Sequence, residues 1–284
     1  MEFYFPEMKG IKTSEEFDTP LVVLIAATDR SHLHLSRTIP SLLSQTKPWD
    51  ALVVVDDSNN SSQIIRANFT CPNLPQLNII VNTQSKGAAG AWNSGLAFIK
   101  KNFGNAWVAM LDDDDEWLPN HLESCYKKIS NETDAVIAGI ATYVDNMPAS
   151  VPSHDPFSLS DFLCSNPGWQ GSNTFVRLAS LEKAGCFDET LACTHDRDLA
   201  IRLLSLDEFV HIRTGLVTVK YHIGSDEPAY TRPLNPIKLM GLRTFWLKHR
   251  SRMSVQQEAA FFAHAAKMFG FSSQKITQEN EPHN

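Results

Sequence analysis

Ala106-Trp107-Val108-Ala109-Met110-Leu111-Asp112-Asp113-Asp114-Asp115-Glu116-Trp117-Leu118-Pro119 is the stretch that decides the fold. Its apolar half reads as a strand, and that strand delivers five consecutive carboxylates to its C-terminal end, the edge of an open α/β sheet where ligands bind. Such a run is a poor way to build a core and a good way to hold a hard cation. If the strand pleat continued, Asp112 and Asp114 would point one way and Asp113 and Asp115 the other. Pro119 suits the first turn of a helix through His121 to Ile129.

On the N-terminal side three more apolar runs read as strands: Leu21 to Ala27, Ala51 to Val55 and Leu77 to Val81. Between them lie a helix from Ser31 to Gln45, with a kink or late start expected at Pro40, and a helix from about Ala88 to Lys101. On the C-terminal side a strand is expected over Ala135 to Ala141, a loop over Val151 to Gln170, a helix over Arg197 to Ser205 and a last strand over Leu216 to Lys220. Strands alternating with helices give an α/β fold with a mostly parallel central sheet. After Pro228, Pro233 and Pro236 the chain turns helical, and Ser254 to Gln257 reads as a capping box ahead of Val255, Ala259, Phe262, Ala266 and Phe269 at helical spacing.

With 284 residues, 43% of them hydrophobic, the chain can bury a core as one large domain or as one domain plus an extension. A net charge of −7 and the lack of a basic stripe argue against a nucleic-acid partner. The five cysteines, Cys71, Cys125, Cys164, Cys186 and Cys193, form no CxxC pair, so neither a disulfide framework nor a zinc site is indicated, and scattered thiols suit the cytosol. The N-terminus does not read as a signal peptide, and the apolar run from Leu21 is too short to span a bilayer.

Three acidic groups fall at strand ends or helix starts: Asp56 with Asp57, Asp112 to Glu116, and Asp196 with Asp198. Neighbouring parallel strands lie about 4.8 Å apart, so the first two groups can frame one ligand. Mg²⁺ and Mn²⁺ are typically held by one or two carboxylates plus substrate phosphates, which points to a nucleoside-diphosphate ligand.

Four blocks in order carry a family resemblance: Ala26 to Arg30, followed by Ser41 to Thr46; Val53 to Ser58; Lys86 to Gly95; and Leu111 to Pro119. Together they resemble the inverting family 2 glycosyltransferases of GT-A fold, over roughly residues 20 to 225. The resemblance implies that Asp57 contacts the base, with Ala27, Asp29 and Arg30 lining the same pocket, that Asp113 faces the ribose, and that Asp114, also a nucleotide-sugar-binding residue, ligates Mn²⁺ or Mg²⁺. Lys86 and Asn93 are placed on the nucleotide-sugar side. The block from Gly185 through Leu199 looks like the acceptor-side signature, in which Asp196 is the catalytic base. Two positions depart from the pattern: His195 stands where a Glu is usual, and Trp92 where an Arg is usual, leaving Lys86 to supply that positive charge. His195 and His222 read as packing or surface residues.

The expected organisation is an N-terminal extension over 1–19, a catalytic domain over 20–230 (nucleotide-sugar side 20–125, acceptor side 126–230) and a C-terminal helical extension over 231–284. The expected activity is metal-dependent, inverting sugar transfer from a nucleotide-diphosphate donor, a UDP-sugar, to a saccharide or lipid-linked saccharide acceptor, as in bacterial surface polysaccharide synthesis. A sugar-nucleotidyltransferase shares the fold but would open with a glycine-rich basic loop where Ala26 to Arg30 stands. The remaining rival is a sugar-nucleotide or glycan-binding module without turnover. Lys238, Arg243, Lys248, Arg250 and Arg252 make a solvated helix face or a seat for an anionic acceptor or bilayer surface, giving a cytoplasmic protein with a peripheral membrane contact. The Phe-rich last helix is a core or homodimer contact.

Overall fold

Leu21–Ala27 (β1) is apolar at every position, so both of its faces need covering, the pattern of a central parallel strand. In the computed structural model Val22 and Leu24 face one core and Leu21, Val23 and Ile25 the other. The structure describes residues 19–58, 63–69, 74, 76–151, 157–223 and 232–278. Nearly all of the expected N-terminal extension, together with Asn59, Asn60, Cys71 and Pro228, lies outside the described residues.

The other strands are Ala51–Asp56 (β2), Leu77–Val81 (β3), Trp107–Asp112 (β4), Glu116–Trp117 (β5), Ala135–Val144 (β6), Met147–Ser150 (β7), Thr174–Arg177 (β8) and His211–Ile223 (β9). Their order is β3-β2-β1-β4-β8-β6-β9-β5, with β7 on the outside of β6. The first four are parallel, β8 runs antiparallel between β4 and β6, and β6 pairs parallel with β9. Strand order reverses between β1 and β4, the switch point of an open α/β sheet. Both strands end there beside the acids.

Only Asp113, Asp114 and Asp115 separate β4 from β5, although β5 pairs at the far edge of the sheet. That connection spans at most about 14 Å. Four inter-strand steps on a flat sheet would need about 19 Å. The sheet therefore curls, bringing the end of β9 back over the end of β4. Trp117 pins the closure: it pairs with Val219 in β9, and its indole Nε1 donates to the Ser172 carbonyl at 2.7 Å.

Several expectations need local correction. The first helix is broken into Ser31–Leu33, a π-helical turn His34–Thr38 and Ile39–Leu43. The wide turn ends just ahead of Pro40, which has no N–H to give and sits in the first turn of the last segment. Pro119 stays outside the next helix, His121–Tyr126, whose N-cap is Asn120. The stretch read as loop contains the helix Leu159–Cys164, capped reciprocally by Ser158 and Asp161, because the capping box outweighs the surrounding Pro and Ser content. The last strand extends to thirteen residues, since β6 offers it a full-length partner.

Helix Ala88–Phe103 lies against β1 so closely that a Cβ on Gly95 would stand 2.3 Å from Leu24 Cδ1. A Cβ on Gly90 would meet the Ser85 carbonyl oxygen at 1.9 Å, so that glycine lets the preceding turn fold over the helix start.

The C-terminal helices Pro236–His249 and Val255–Phe269 join the main core through Leu242, Phe245, Trp246, Phe261, Ala265 and Phe269. The Ser254 and Gln257 capping box is present, but the buried face is Phe261, Ala265 and Phe269 rather than the stripe from Val255, which is 81% exposed. Each member of the basic C-terminal set has an intramolecular partner: Lys238 lies over Phe269, Arg250 over Trp246, Arg243 donates to the Lys275 and Ile276 carbonyls, and Arg252 to Ser205 Oγ. Lys248 pairs with Asp188 and Asp198. Asp198 is fully buried and accepts from Lys248, His249 and Arg202, each at 2.8 Å, tying helix Pro236–His249 to helix His195–Leu203.

Burial alone would raise the Asp198 pKa, but the bonds from His249, Lys248 and Arg202 prevail and hold it well below the usual carboxylate range. A depressed folded-state pKa contributes stability that is complete above the unfolded value and is lost as pH falls through the folded one. Asp198→Ala leaves Lys248 and Arg202 facing an empty pocket, and urea unfolding at pH 7 should show a loss of about 3 kcal/mol, the cost of breaking a buried ion pair. The difference between variant and wild type should shrink when the measurement is repeated in strong acid.

Candidate active site

The acid run does not continue the pleat of β4. Asp112 is the last strand residue, Asp115 N–H bonds back to the Asp112 carbonyl at 3.3 Å, and Asp113 and Asp114 occupy the turn. The expected pairing of Asp112 with Asp114 and Asp113 with Asp115 is thereby replaced. Asp113 and Asp114 turn toward Arg30, while Asp112 and Asp115 converge on Ser172.

Asp113 is the best-supported carboxylate of the run. Its Oδ2 accepts from the Thr28 backbone N–H at 2.7 Å and from Thr28 Oγ1 at 2.9 Å, and Oδ1 accepts from Arg30 at 3.2 Å. His34 Nε2 lies 3.2 Å from Oδ2, and the Asn68 amide, donating to His34 Nδ1 at 3.3 Å, fixes the ring proton on Nε2. The π-helical turn makes this possible, placing His34 and Thr38 against one residue: Thr38 Oγ1 donates to the Asp113 carbonyl at 2.9 Å. Burial works to raise the Asp113 pKa, but the contacts with His34, Arg30 and Thr28 outweigh it and keep the group ionised.

Its neighbours behave oppositely. Burial, then repulsion from Asp196 and Asp114, raises Asp112 well above the usual carboxylate range. Burial and the charges of Asp114 and Asp112 do the same to Asp115. Burial, followed by the charge of Asp113, takes Asp114 to about 6 despite its ion pair with Arg30. Ser172 Oγ stands 3.0 Å from Asp112 Oδ2 and 2.5 Å from Asp115 Oδ2, and also accepts the Asp112 N–H at 3.1 Å. A hydroxyl has one proton to donate. Satisfying both contacts therefore requires one of the two carboxyls to carry a proton of its own. Asp115 is further held by the His222 N–H at 2.9 Å. Glu116 is set apart from the others, held down at about 2 by its bond to His222 against burial, with Lys220 assisting at 2.9 Å.

Asp112, Asp113 and Asp114 border a cavity of about 240 Å³ at the ends of β1 and β4. Of the residues singled out in the sequence, Arg30, Asp57, Asp113, Asp114 and Asp196 line it. Ala27, Asp29, Lys86 and Asn93 are not among its lining residues. Ala27 supports the floor, accepting the Asp57 N–H at 2.9 Å. Lys86 lies at the Asp57 end: its ammonium contacts the Asp57 carbonyl and stands 3.8 Å from the carboxylate. Asn93 is committed to the acceptor-side block, donating to the Phe187 carbonyl at 3.0 Å and to Glu189 at 2.7 Å. Glu189 also accepts the Ser85 N–H at 2.9 Å, joining that block to the turn over which Gly87 N–H donates to Asp57.

Thr28, Asp112, Gln170, His195, Tyr221 and His222 complete much of the lining. His195 and His222, read from sequence as packing or surface positions, both face this cavity. His195 Nε2 is 3.5 Å from Asp196 Oδ1. The residue just before them, Thr194, is left-handed at φ 71°, which turns the chain so that helix His195–Leu203 begins at the cavity. No local sequence signal marks Ser172, Gln170 or Tyr221, since they come from strands and turns joined only by the curled sheet.

The model of "Glycosyl transferase family 2" matches residues 23–187, more than half of the chain. The chain belongs to glycosyl transferase family 2. This family 2 glycosyltransferase is 24% identical over 240 residues to "Putative colanic acid biosynthesis glycosyl transferase WcaA" of Escherichia coli K12, covering 83% of each chain. It is 34% identical over 107 residues to the E. coli "UDP-Glc:alpha-D-GlcNAc-diphosphoundecaprenol beta-1,3-glucosyltransferase WfgD", covering 37% of this chain and 40% of WfgD. Among solved structures, S. aureus TarS 1-349 in complex with UDP-GlcNAc superposes with a TM-score of 0.60 at 15% identity, over 89% of this chain and 74% of that one. The mannosyltransferase PcManGT from Pyrobaculum calidifontis, in complex with GDP-Man and Mn2+, gives 0.55 at 17% identity over 89% and 79%. These likenesses establish the GT-A fold. Among the described residues no helix is long and apolar enough to cross a membrane.

Ser172 is the residue on which the arrangement of Asp112 and Asp115 rests. Ser172→Ala removes the hydroxyl that Asp112 and the buried Asp115 share, and should cost about 2 kcal/mol in denaturant unfolding, the penalty for an unsatisfied buried polar group. A larger loss is expected in kcat than in KM for the donor.

Proposed function

We propose that this family 2 glycosyltransferase is a metal-dependent inverting enzyme that moves a sugar from a UDP-sugar donor to a saccharide acceptor carried on a lipid diphosphate. The observation that carries this reading is that Asp57, Asp112, Asp113, Asp114 and Asp196 line one cavity with Arg30. That excess of negative charge would repel a diphosphate, so a donor of this class needs a cation to accompany it. Hard oxygen donors suit Mn²⁺ or Mg²⁺. Among the described residues no group of three or more His, Cys, Asp or Glu side chains makes a metal cage by itself, which fits an ion held partly by substrate phosphates. The UDP-GlcNAc on TarS, the Mn2+ with GDP-Man on PcManGT, and the UDP-Glc and diphosphoundecaprenol in the name of WfgD support the donor, the ion and the acceptor class.

Asp57, oriented by Asn82 at 2.7 Å and Gly87 at 2.9 Å, receives the base. Because Asp113 is committed to Thr28, Arg30 and His34, the ribose and the ion fall to Asp112 and Asp114, a shift of one residue from the sequence expectation for the ribose. When bound, the ion neutralises charge on the departing diphosphate. Asp196, at the helix start across the cavity, takes the proton of the acceptor hydroxyl as that oxygen attacks the anomeric carbon. One base suffices for inversion, and no covalent nucleophile is needed. His195, within 3.5 Å of Asp196, orients the carboxylate or the acceptor hydroxyl.

A nucleotide-release screen across UDP- and GDP-sugars, with and without Mn²⁺, and with a polyprenyl-diphosphate saccharide as acceptor, tests this directly. Asp114→Ala and Asp196→Ala should each lower kcat by about 10²- to 10⁴-fold, with the Asp196 variant still binding UDP. Metal-independent turnover indifferent to both changes would overturn the mechanism, and α-linked product would overturn inversion if the donor sugar is α.

A further inference from the structure

Arg30 lines the cavity with its guanidinium on two carboxylates at once, Asp113 Oδ1 at 3.2 Å and Asp114 Oδ2 in a closer ion pair. Asp113 keeps Thr28 and His34 whatever Arg30 does, whereas Asp114 has Arg30 as its ion-pair partner while lying next to the place where a divalent ion must sit. The Arg30 backbone is fixed, its N–H bonded to the Thr28 carbonyl at 2.8 Å and its own carbonyl accepting from Leu33 at 2.9 Å and His34 at 3.0 Å. The side chain is one-quarter exposed on the cavity side. Movement therefore belongs to the guanidinium, not to the loop.

We propose that Arg30 is an exchangeable cation: it occupies Asp114 until donor and metal arrive together, then passes to the donor diphosphate as the metal takes Asp114. The inference rests on the metal-dependent reading above. A guanidinium and a divalent ion compete for one carboxylate because each repels the other at contact distance. A diphosphate offers the guanidinium a better partner, since its oxygens accept two parallel N–H bonds in the planar geometry that arginine presents. Metal without nucleotide has to displace Arg30 from Asp114 with no diphosphate to receive it. Metal with nucleotide displaces it onto a ligand. The consequence is strong mutual dependence of the two ligands, and by linkage the factor by which UDP tightens Mn²⁺ equals the factor by which Mn²⁺ tightens UDP.

The test is Mn²⁺ binding read from the free-ion EPR signal, with and without UDP, and UDP binding by calorimetry, on full-length protein. In the wild type UDP should tighten Mn²⁺ by about tenfold or more. Arg30→Gln should bind Mn²⁺ about tenfold more tightly than wild type when nucleotide is absent, an unusual gain from removing a side chain, and should bind UDP with Mn²⁺ about tenfold more weakly. Arg30→Lys keeps a competing charge without the fork, so its nucleotide-free Mn²⁺ affinity should stay within about threefold of wild type while UDP affinity falls. Thermal unfolding reports whether each variant retains the fold, and independent binding of UDP and Mn²⁺ by the wild type counts against the exchange even if neither variant does. Unchanged or weaker Mn²⁺ binding in a folded Arg30→Gln, or a wild type in which UDP and Mn²⁺ bind independently, overturns the exchange while leaving metal-dependent transfer standing. A wild type that retains no Mn²⁺ even with UDP removes the metal-dependent reading and this inference with it.

Discussion

Asp113 is held by groups from three parts of the chain, and the cavity is organised around that carboxylate. Thr28 comes from the end of β1, His34 from a widened turn of the first helix, and Arg30 from the loop between them. Four donors neutralise one buried charge, which is why it is tolerated in a pocket crowded with others. With Asp113 satisfied, the adjoining carboxylates bear the electrostatic strain. Asp112, Asp114 and Asp115 are all raised above their ordinary range, burial being the first cause in each. Carboxylates gathered this closely repel one another, and the folded state bears that cost at the cavity.

The curl of the sheet is the second constraint. A three-residue link between β4 and β5 closes the far edge over the acids, and Trp117 with Ser172 locks it. This brings Asp115 to the His222 N–H and Asp112 to Ser172, and it puts Tyr221 and His222 in the same cavity lining as Arg30. The C-terminal helices complete the arrangement from below. Through Asp198 they hold the helix whose first turn carries His195 and Asp196, so the segment read as an appendage is bound into the catalytic core.

The strands of the nucleotide half were legible because they are short, apolar on both faces and bounded by turn residues; β1, β3 and the body of β2 fall where the apolar runs place them. The helix boundaries were less so. Pro40 signalled a disturbance, but its form, a π turn that aims His34 and Thr38 at Asp113, depends on a partner 75 and more residues away. The basic C-terminal residues looked like a surface patch because a sequence records their charge and not the rings, carbonyls and carboxylates that meet them.

By itself the sequence determined that an apolar strand delivers five acids to a sheet edge and that the family is glycosyl transferase family 2, and it singled out Asp57 and Asp196, which line one cavity. The reason is that strand and turn propensities, and the order of blocks along a chain, are local properties. Which acid does what was decided only in the folded state. Counting along the run gives five equivalent carboxylates in alternation; the turn after Asp112 breaks the alternation and sorts them by donors, Asp113 to His34 and Thr28, Asp112 and Asp115 to Ser172, Glu116 to His222 and Lys220. A carboxylate's role follows from the hydrogen-bond donors and charges within a few ångströms of it, and those are set by tertiary contacts.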